Sequence, residues 1–589
     1  MKAKDDTSSV NAPEPAGSHH RSSSTLRWWH RYLSLRLRGR PGLETTRQLS
    51  RWILLSPAIG LVAGLGAIAL FWGINACTSL FLGRGAGYLP PVPAGEGRTV
   101  VEPVTHPWHV VLIVVIGGIL AGLIVFFIAP EAEGHGTDSA IAAFHSGRPL
   151  RARIPLVKLV ASAITIGSGG SGGREGPTAQ ISAGFASLLG QVLHLDERDR
   201  RIAIAAGMGA GIGAIFRAPL GGALLAAELP YLHDLEVEAI IPGLIASIVG
   251  YAVYTAWGGT TPIFGFQPNL TFDRPIQLAY YVLVGLACGF VGLCYSETFA
   301  WSTRFFHRLP LPLWFKPAIG ALGVGLMALF LPQVLGMGYG WIQIAMGPSI
   351  LRFPLWMLLL LPFAKIAATA LSIGSGGSGG VFGPGMVIGG LTGAALWRLG
   401  HGILPGMPAG PAPFVIVGMM ALFGGIAHAP VAVMLMVAEM TGNLQLLAPA
   451  MIAIAISTMV VGHHTIYTSQ VDVRSDSPAH RSRLLALPRR AAVLIEQAVP
   501  ASSKLDGQLL EDIQLPGGCL IVAIVRDDNV LIPRGNTRLL AGDILTLAVQ
   551  RPFEERIREI LQGWLQGSDA TIPPPTEQSA AIVEEDHAI

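Results

Sequence analysis

Charged side chains are scarce in this chain. Only 13% of its 589 residues are Asp, Glu, Lys or Arg, while 51% are hydrophobic. Soluble globular domains carry about 25% charged residues, and a large soluble core would need polar faces between its apolar stripes, which are missing here. Long apolar stretches, several near the roughly 20 residues that span a bilayer, occur at 52–82, 110–128, 276–292, 313–330 and 355–370. We therefore expect an all-α polytopic membrane protein.

Cysteine is also scarce. The chain has four, and none belongs to a C-x-x-C pair: Cys77, Cys288, Cys294 and Cys519. Three of them lie in apolar stretches, so we interpret the cysteines as small core residues. We expect neither a disulfide framework nor a metal site.

Basic residues are concentrated in a few segments. Arginines cluster in 1–51, 148–153 and 474–490, whereas 85–107 holds one arginine and two glutamates. By the positive-inside rule, we expect both termini and the 130–153 loop to lie in the cytoplasm and 85–107 to be external. The membrane is expected to be a bacterial inner membrane. The first residues lack the pattern of a signal peptide. We interpret their arginines as a topology determinant rather than as a nucleic-acid-binding arm.

Composition changes along the chain suggest five parts. Both ends are polar and are expected to be disordered, and the C-terminal part before the tail has the composition of a soluble domain. The predicted parts are a basic cytoplasmic arm (1–48), a transmembrane domain (49–471), a linker (472–489), a soluble regulatory domain (490–563) and a tail (564–589).

A glycine loop, GSGGSGG, occurs twice, at 167–173 and 374–380. Each copy belongs to a longer repeat: PLVKLVASAITIGSGGSGGREGP at 155–177 and PFAKIAATALSIGSGGSGGVFGP at 362–384 share 14 of 23 positions. A second pair of motifs, Ala-Pro followed by Ala-Glu, recurs at nearly the same offset. The sequence therefore predicts two related halves, about 52–257 and 276–471, of the kind that form a transporter site between them. If both loops serve one substrate near the midplane, the halves must face each other, which favours inversion.

The glycine loops suit an anion. Each precedes a predicted helix, 175–189 or 382–399, whose N–H groups would be buried in the membrane, carry partial positive charge and bind anions. Close helix packing would also explain small residues. It does not explain the same loop followed by Gly-Pro twice. A dinucleotide-binding site would need a preceding strand and a soluble βαβ unit. The loops instead lie between apolar stretches expected to be in the membrane, which disfavours this alternative.

Glu175 lies at the start of the first of these helices. A carboxylate inside a membrane is costly and marks a candidate functional site. Ionised, it could occupy the place of a free anion, and protonated it would leave, so we predict that it is a gate. The other half has Phe382 at the matching position. Glu228 and Glu439 occupy equivalent places in both halves and are expected to be structural, while three histidines are interpreted as interfacial: His194, His233 and His401.

These residues resemble the CLC family of chloride channels and chloride/proton exchangers over about 52–471. The resemblance rests on GREGP at 173–177, GVFGP at 380–384 and a late tyrosine, Tyr467. It implies inverted halves, a homodimer with one pore per subunit, and Glu175 as the external gate.

The resemblance also implies two anion sites. The Tyr467 hydroxyl would close the inner side of the central one. Backbone amides would line both, with Arg174, Glu175 and Gly176 at the outer site and Val381 and Phe382 at the central site.

The chain departs from the family pattern at two places. His135 stands where the family has a serine that touches the central anion, which leaves selectivity open and could make conduction pH-sensitive. Leu229 stands where many exchangers have a proton-relay glutamate, immediately after the position of Glu228. This favours passive conduction over proton-coupled exchange.

The soluble part resembles the TrkA-C regulatory domain over about 490–563. Its pattern predicts strands at 519–525, 530–532 and 545–549 and helices at 491–498 and 553–564. The family often dimerises and sometimes binds small anionic ligands. Three arginines could meet such a ligand, although a solvated surface is the favoured interpretation: Arg526, Arg534 and Arg538.

We therefore predict chloride or other anion transport by a membrane-embedded homodimer, leaning to channel-like conduction. A proton-coupled antiporter is the main alternative. A nucleotide-binding membrane enzyme is a remote one, and a cation channel is a further one for which no pore-loop filter motif is found. No enzymatic activity, cofactor or nucleic-acid partner is expected.

Overall fold

A computed structural model describes most of the chain. It covers residues 43–478, except 268, 269, 271 and 273, and residues 492–565, except 502, 504, 514, 516–518, 528 and 551–553. The expectations for most of the basic arm, most of the linker and nearly all of the tail lie outside these residues. The chain divides into two compact units, Met1–Arg474 and Ser475–Ile589.

Unit 1 is helical, and its two halves hold matching series of helices. In the first half, a short π-helical segment, Ser79–Ala86, extends the first helix. The helices of this half are α1 (Leu43–Thr78), α2 (Pro107–Ile128), α3 (Thr137–Ser146), α4 (Arg153–Gly167), α5 (Glu175–Val192), α6 (Glu197–Phe216), α7 (Pro219–Glu228) and α8 (Val237–Gly258). Those of the second half are α9 (Gln277–Arg308), α10 (Lys316–Ala328), α11 (Tyr339–Met346), α12 (Leu355–Gly374), α13 (Phe382–Gly400), α14 (Ala412–Ile426), α15 (Pro430–Thr441) and α16 (Leu447–Val461).

Five stretches in the described residues are long and apolar enough to cross a membrane: Arg51–Ala86, Pro107–Ile128, Val237–Gly258, Gln277–Arg308 and Leu355–Gly374. Four of them overlap apolar runs seen in the sequence. The run at 313–330 instead forms a short turn and the 13-residue helix α10, and α8 was not among the predicted runs because glycine, proline and serine dilute its hydrophobicity.

The two glycine loops meet at the centre of unit 1. The Gly173 N–H donates to the Gly380 carbonyl at 2.7 Å, and the Gly380 N–H donates back to the Gly173 carbonyl at 2.6 Å. This is an antiparallel pairing of two equivalent positions. Equivalent segments therefore run in opposite directions where they touch, as in an inverted repeat.

Side chains beside the loops follow the same exchange. The Ser162 hydroxyl lies 2.9 Å from that of Ser378, and the Ser171 hydroxyl lies 2.9 Å from that of Thr369. In the repeat, Ser162 is equivalent to Thr369, and Ser171 is equivalent to Ser378. The two contacts are therefore equivalent to each other, as expected of an approximate two-fold relation.

The paired glutamates cap helices across the repeats. The Glu228 carboxylate, at the end of α7, accepts from the Ala432 N–H in the first turn of α15 at 2.8 Å. Glu439, in α15, accepts from the Leu220 and Gly221 N–H groups in the first turn of α7 at 3.1 and 2.9 Å. The N–H groups of a first helical turn have no partner within their own helix, so each half supplies the cap of the other.

The lysine found in both copies of the repeat has one role in each half. Lys158 Nζ donates to the carbonyl of Ala132 at 3.0 Å and to that of Gly134 at 2.7 Å. Lys365 Nζ contacts the carbonyls of Val334 and Gly336 at 2.9 and 2.7 Å. Both ammonium groups are buried and fasten the turn that precedes a short helix, α3 or α11.

Unit 2 is a small α/β domain. Its four strands are β1 (Ala492–Ala498), β2 (Cys519–Arg526), β3 (Asn529–Leu531) and β4 (Ile544–Gln550), in the antiparallel order β1-β4-β2-β3, and α17 (Glu554–Leu565) follows. The predicted helix at 491–498 was wrong. There, Ile495 is buried and Glu496 is exposed, which is the alternation of a strand, and β4 supplies its backbone partners.

An ion pair joins β2 to the start of β4. The Arg526 guanidinium donates to both carboxylate oxygens of Asp543, at 2.7 and 2.8 Å, and to the Arg538 carbonyl at 2.8 Å. These hydrogen bonds hold the pKa of the Asp543 carboxyl below its usual range. One of the three arginines suggested for a ligand is therefore engaged within the domain.

Candidate anion pathway

The Glu175 side chain reaches from one repeat to the other. Glu175 is the first residue of α5 and is fully buried. Its Oε1 accepts a hydrogen bond from the Gly383 N–H at 2.8 Å, and the Phe382 N–H also faces the carboxylate. Both N–H groups belong to the first turn of α13, where the helix dipole favours negative charge. The carboxylate thus lies where a helix N-terminus binds anions.

Three glycines leave room for this carboxylate in its observed position. A Cβ at Gly173 or Gly380 would lie 2.2 Å from a Glu175 carboxylate oxygen. At Gly383 it would lie 2.3 Å from the Tyr339 hydroxyl. These glycines leave the neighbouring backbone N–H groups accessible. They also leave space for an anionic group between the repeats.

Aromatic rings surround the inner side of this position. The rings of Phe382 and Phe423 have centroids 4.0 Å apart, and Phe423 lies 6.4 Å from Tyr467. The Tyr467 hydroxyl is buried close to Thr137 and has no hydrogen-bond partner among the described residues. Behind them, the Tyr295 hydroxyl donates to the Val381 carbonyl at 2.9 Å, which fixes the backbone just before α13.

His135 lies further along the same side. Its ring centroid is 5.5 Å from that of Tyr467 and 5.8 Å from that of Phe299. It lines a cavity of about 700 Å³ that is also bordered by acidic groups, among them Glu133, Asp138 and Glu297. The His135 imidazole therefore borders this cavity and also contacts the aromatic ring of Tyr467.

Arg174 and Gly176 flank Glu175 and have different surroundings. The Arg174 guanidinium is buried, pairs with the buried carboxylate of Glu96, and lies 5.3 Å from the Phe71 ring centroid. A Cβ at Gly176 would lie 2.0 Å from the His135 carbonyl oxygen. The Arg174 charge is therefore compensated by the predicted external segment, and the backbone at Gly176 packs against the turn that carries His135.

Comparison with known families gives two matches. Residues 117–462 match the family described as voltage gated chloride channel, and residues 494–562 match the TrkA-C domain. The first match covers more than half of the chain. The chain belongs to the voltage-gated chloride channel (CLC) family.

Relatives within the CLC family differ in the activity that their names state. The voltage-gated ClC-type chloride channel ClcB of Salmonella dublin is 30% identical over 71% of this chain and 98% of its own length. The H(+)/Cl(-) exchange transporter ClcA of Cronobacter sakazakii is 28% identical over 69% of this chain and 86% of its own. These comparisons support CLC-type chloride transport and do not separate channel from exchanger.

The fold of a solved CLC structure is similar as well. A slow cyanobacterial Cl-/H+ antiporter superposes with a TM-score of 0.62 at 22% identity, covering 75% of this chain and 99% of that chain. The similarity to the CLC fold agrees with the predicted all-α membrane domain with inverted halves.

The structure groups five of the predicted CLC site residues closely: Glu175, Val381, Phe382, Tyr467 and His135. Sequence reasoning missed Gly383, whose N–H contacts Glu175, and Glu96, the partner of Arg174. Gly383 is the fourth residue of GVFGP. Counting the residues in the first turn of the predicted helix could have identified its N–H group. No local signal points to Glu96, because it lies 78 residues before Arg174.

Proposed function

We propose that the protein conducts chloride, and other anions of similar size, along a pathway that Glu175 gates. The observation that carries this proposal is the 2.8 Å hydrogen bond from the Gly383 N–H to the Glu175 carboxylate. A side-chain anion from one repeat occupies the helix N-terminus of the other. A free chloride ion would be favoured there by the same N–H groups.

Gating follows from competition between the carboxylate and the ion. Ionised Glu175 holds the site as a tethered anion. Protonation removes its charge, weakens its hold on the α13 N-terminus and lets the side chain swing away, so that chloride can enter. Backbone N–H groups carry only partial charges, and an ion bound by them can also leave.

Two anion positions are proposed on either side of the gate. The outer position lies at the amides of Arg174, Glu175 and Gly176, and the central position at those of Val381 and Phe382, to which we add Gly383. The Tyr467 hydroxyl donates to the central ion. His135 acts from the cavity side, where its protonation would raise the local concentration of anions.

We favour passive conduction over proton-coupled exchange. Leu229, which replaces a possible relay carboxylate, is fully buried and cannot carry a proton. Exchange remains the second candidate because Glu133, Asp138 and Glu297 border the cavity and could supply protons by another route.

The proposal extends to the protein's setting. We infer a homodimer in a bacterial inner membrane with both termini in the cytoplasm, without enzymatic activity or a cofactor. The TrkA-C domain would contribute a second dimer contact and could bind a small anionic ligand.

Proton and chloride movement in liposomes tests the proposal. With an outward chloride gradient and a valinomycin clamp, passive conduction predicts chloride efflux without uphill proton uptake. Uphill proton movement coupled to chloride would establish the exchanger instead. Absence of chloride flux, in protein that gel filtration shows to be folded, would reject both passive conduction and exchange.

A further inference from the structure

Three potential metal ligands converge outside the anion pathway. His233 lies just after α7, His463 just after α16, and Asp472 at the end of the membrane unit. One ligand atom from each lies within 4.8 Å of the others. Two ligand atoms on one tetrahedral zinc ion are roughly 3.4 Å apart, so small side-chain movements would complete the arrangement.

The backbone holds two of the three ligands in place. The Leu232 N–H donates to the Val471 carbonyl at 2.9 Å, and the His233 N–H donates to the Asp472 carbonyl at 3.0 Å. This short parallel pairing puts the His233 Nδ1 atom 2.9 Å from an Asp472 carboxylate oxygen. Half of the site is therefore preorganised, and little ordering is needed to bind an ion.

A third imidazole lies beside the cluster. The His428 ring centroid lies 6.0 Å from that of His233, and the His463 ring lies 5.7 Å from His233 on another side. The His428 Nε2 atom is 3.1 Å from the His464 carbonyl. This contact fixes the His428 ring beside His233.

We propose that His233, His463 and Asp472 bind a divalent transition metal of the zinc class. Two imidazoles and one carboxylate suit zinc and its neighbours, whereas calcium and magnesium prefer oxygen ligands. Three protein ligands leave a coordination position for water. This proposal departs from the sequence-based expectation of no metal and of an interfacial His233.

The metal would fasten the segment that carries Tyr467. His463 and Asp472 stand at its two ends, and Tyr467 lies between them. Asp472 is already joined to the His233 turn by its backbone, while His463 would be joined by the ion. Occupation of the site would therefore restrict the movement of the whole loop 463–472.

Calorimetric titration of the untagged full-length protein with zinc chloride tests the site. Loss of an outer partner alone costs about 10–100-fold in affinity, so His233→Ala and Asp472→Asn should each weaken zinc binding at least about tenfold. Both side chains are about half exposed, and the asparagine variant is nearly isosteric. Equal zinc affinity in the wild type and both variants would overturn the proposal.

His464→Gln is the matched control, since His464 is the next residue along and lies outside the ligand set. It should keep wild-type zinc affinity, and calcium should not displace the zinc. An equal loss in this control, or displacement by calcium, would contradict the assigned ligands.

Hydrogen exchange provides a readout that does not depend on transport. Zinc should slow amide exchange within 463–472 in the wild type and leave it unchanged in His233→Ala. The same slowing in the variant would contradict the fastening of this loop.

Discussion

At the scale of single residues, Glu175 is bound by its neighbours in the way that a ligand is bound. Its carboxylate meets the N–H groups of α13, three glycines make room for it, and the Tyr467 hydroxyl lies on the inner side without a described partner. Under the proposed function, this carboxylate competes with the transported anion for the same position. Substitutions here should change ion binding and gating without unfolding the protein.

Glu175→Gln should remove the part of the pH dependence of chloride flux that comes from the gate, and keep the gate open as at acidic pH. The amide has the shape of the side chain but carries no charge to be lost on protonation. Efflux from liposomes between pH 4.5 and 7.5 measures this. Glu102→Gln, an exposed change in the predicted external segment, is the control. Wild-type pH dependence in Glu175→Gln would exclude the gate assignment.

Tyr467→Phe should weaken chloride binding about tenfold. The variant loses one hydrogen bond to a charged ligand, for which about 1.5 kcal/mol is typical. Chloride titration calorimetry is the measurement. Tyr88→Phe is matched to it, since Tyr88 also has a buried hydroxyl that makes no hydrogen bond within the described part of the chain. Equal effects of the two changes would mean that Tyr467 has no special contact with the ion.

At the scale of elements, the N-termini of two short helices are capped by glutamates of the opposite repeat. The α7 N-terminus is held by Glu439 and that of α15 by Glu228. The motif pattern in the sequence shows that these glutamates are equivalent, which predicts a shared structural role. It cannot show that each serves the other's helix, because that contact joins positions more than 200 residues apart.

Glu439→Ala should lower thermal stability by the equivalent of about 0.5–2 kcal/mol, the range for a lost N-cap. Glu439→Gln should lower it less, since the amide oxygen still accepts a hydrogen bond. Thermal unfolding in detergent measures both. Glu102→Ala should have no effect. If alanine and glutamine at 439 proved equally harmless, the cap would contribute nothing to stability.

Element boundaries show where sequence patterns suffice. The helices after the glycine loops begin at Glu175 and Phe382, as predicted, because a loop unable to pack as helix gives way to regular apolar sequence. The strand Ala492–Ala498 was mistaken for a helix because its type depends on pairing with β4, more than 40 residues away. Local periodicity in seven residues cannot distinguish the two.

At the scale of the whole molecule, the repeat offset predicted the architecture of the membrane unit, since two motif pairs at one spacing require related halves. The contents of the anion pathway were predicted largely through the CLC resemblance. The Arg174–Glu96 pair and the His233 cluster were not, because they join distant segments that carry no common motif.

Acid should destabilise the TrkA-C domain through Asp543. The folded-state pKa of Asp543 is below its ordinary value because Arg526 donates to it. Its stabilising contribution is therefore present above about pH 4 and is lost as the pH falls through the lower folded-state value. Asp543→Asn should destabilise the TrkA-C domain by about 1–3 kcal/mol at neutral pH, and should flatten its stability profile below pH 4.

Limited proteolysis between pH 2.5 and 7, followed by mass spectrometry, measures the opening of this domain in the full chain. Arg534→Gln serves as the comparison, since Arg534 makes no ion pair among the described residues. A wild-type acid profile in Asp543→Asn would contradict the assigned role.

The mutual pairing of Gly173 with Gly380 also has a consequence for the evolution of the two repeats. In an ancestor made of two identical half-length chains, the residue two positions beyond that glycine would have been the same in both, so Glu175 and Phe382 could not have differed. Glutamate at one position and phenylalanine at the equivalent one require that this residue changed in one copy and not in the other. Duplication into two copies that vary separately must therefore have come before Glu175 and Phe382 became different.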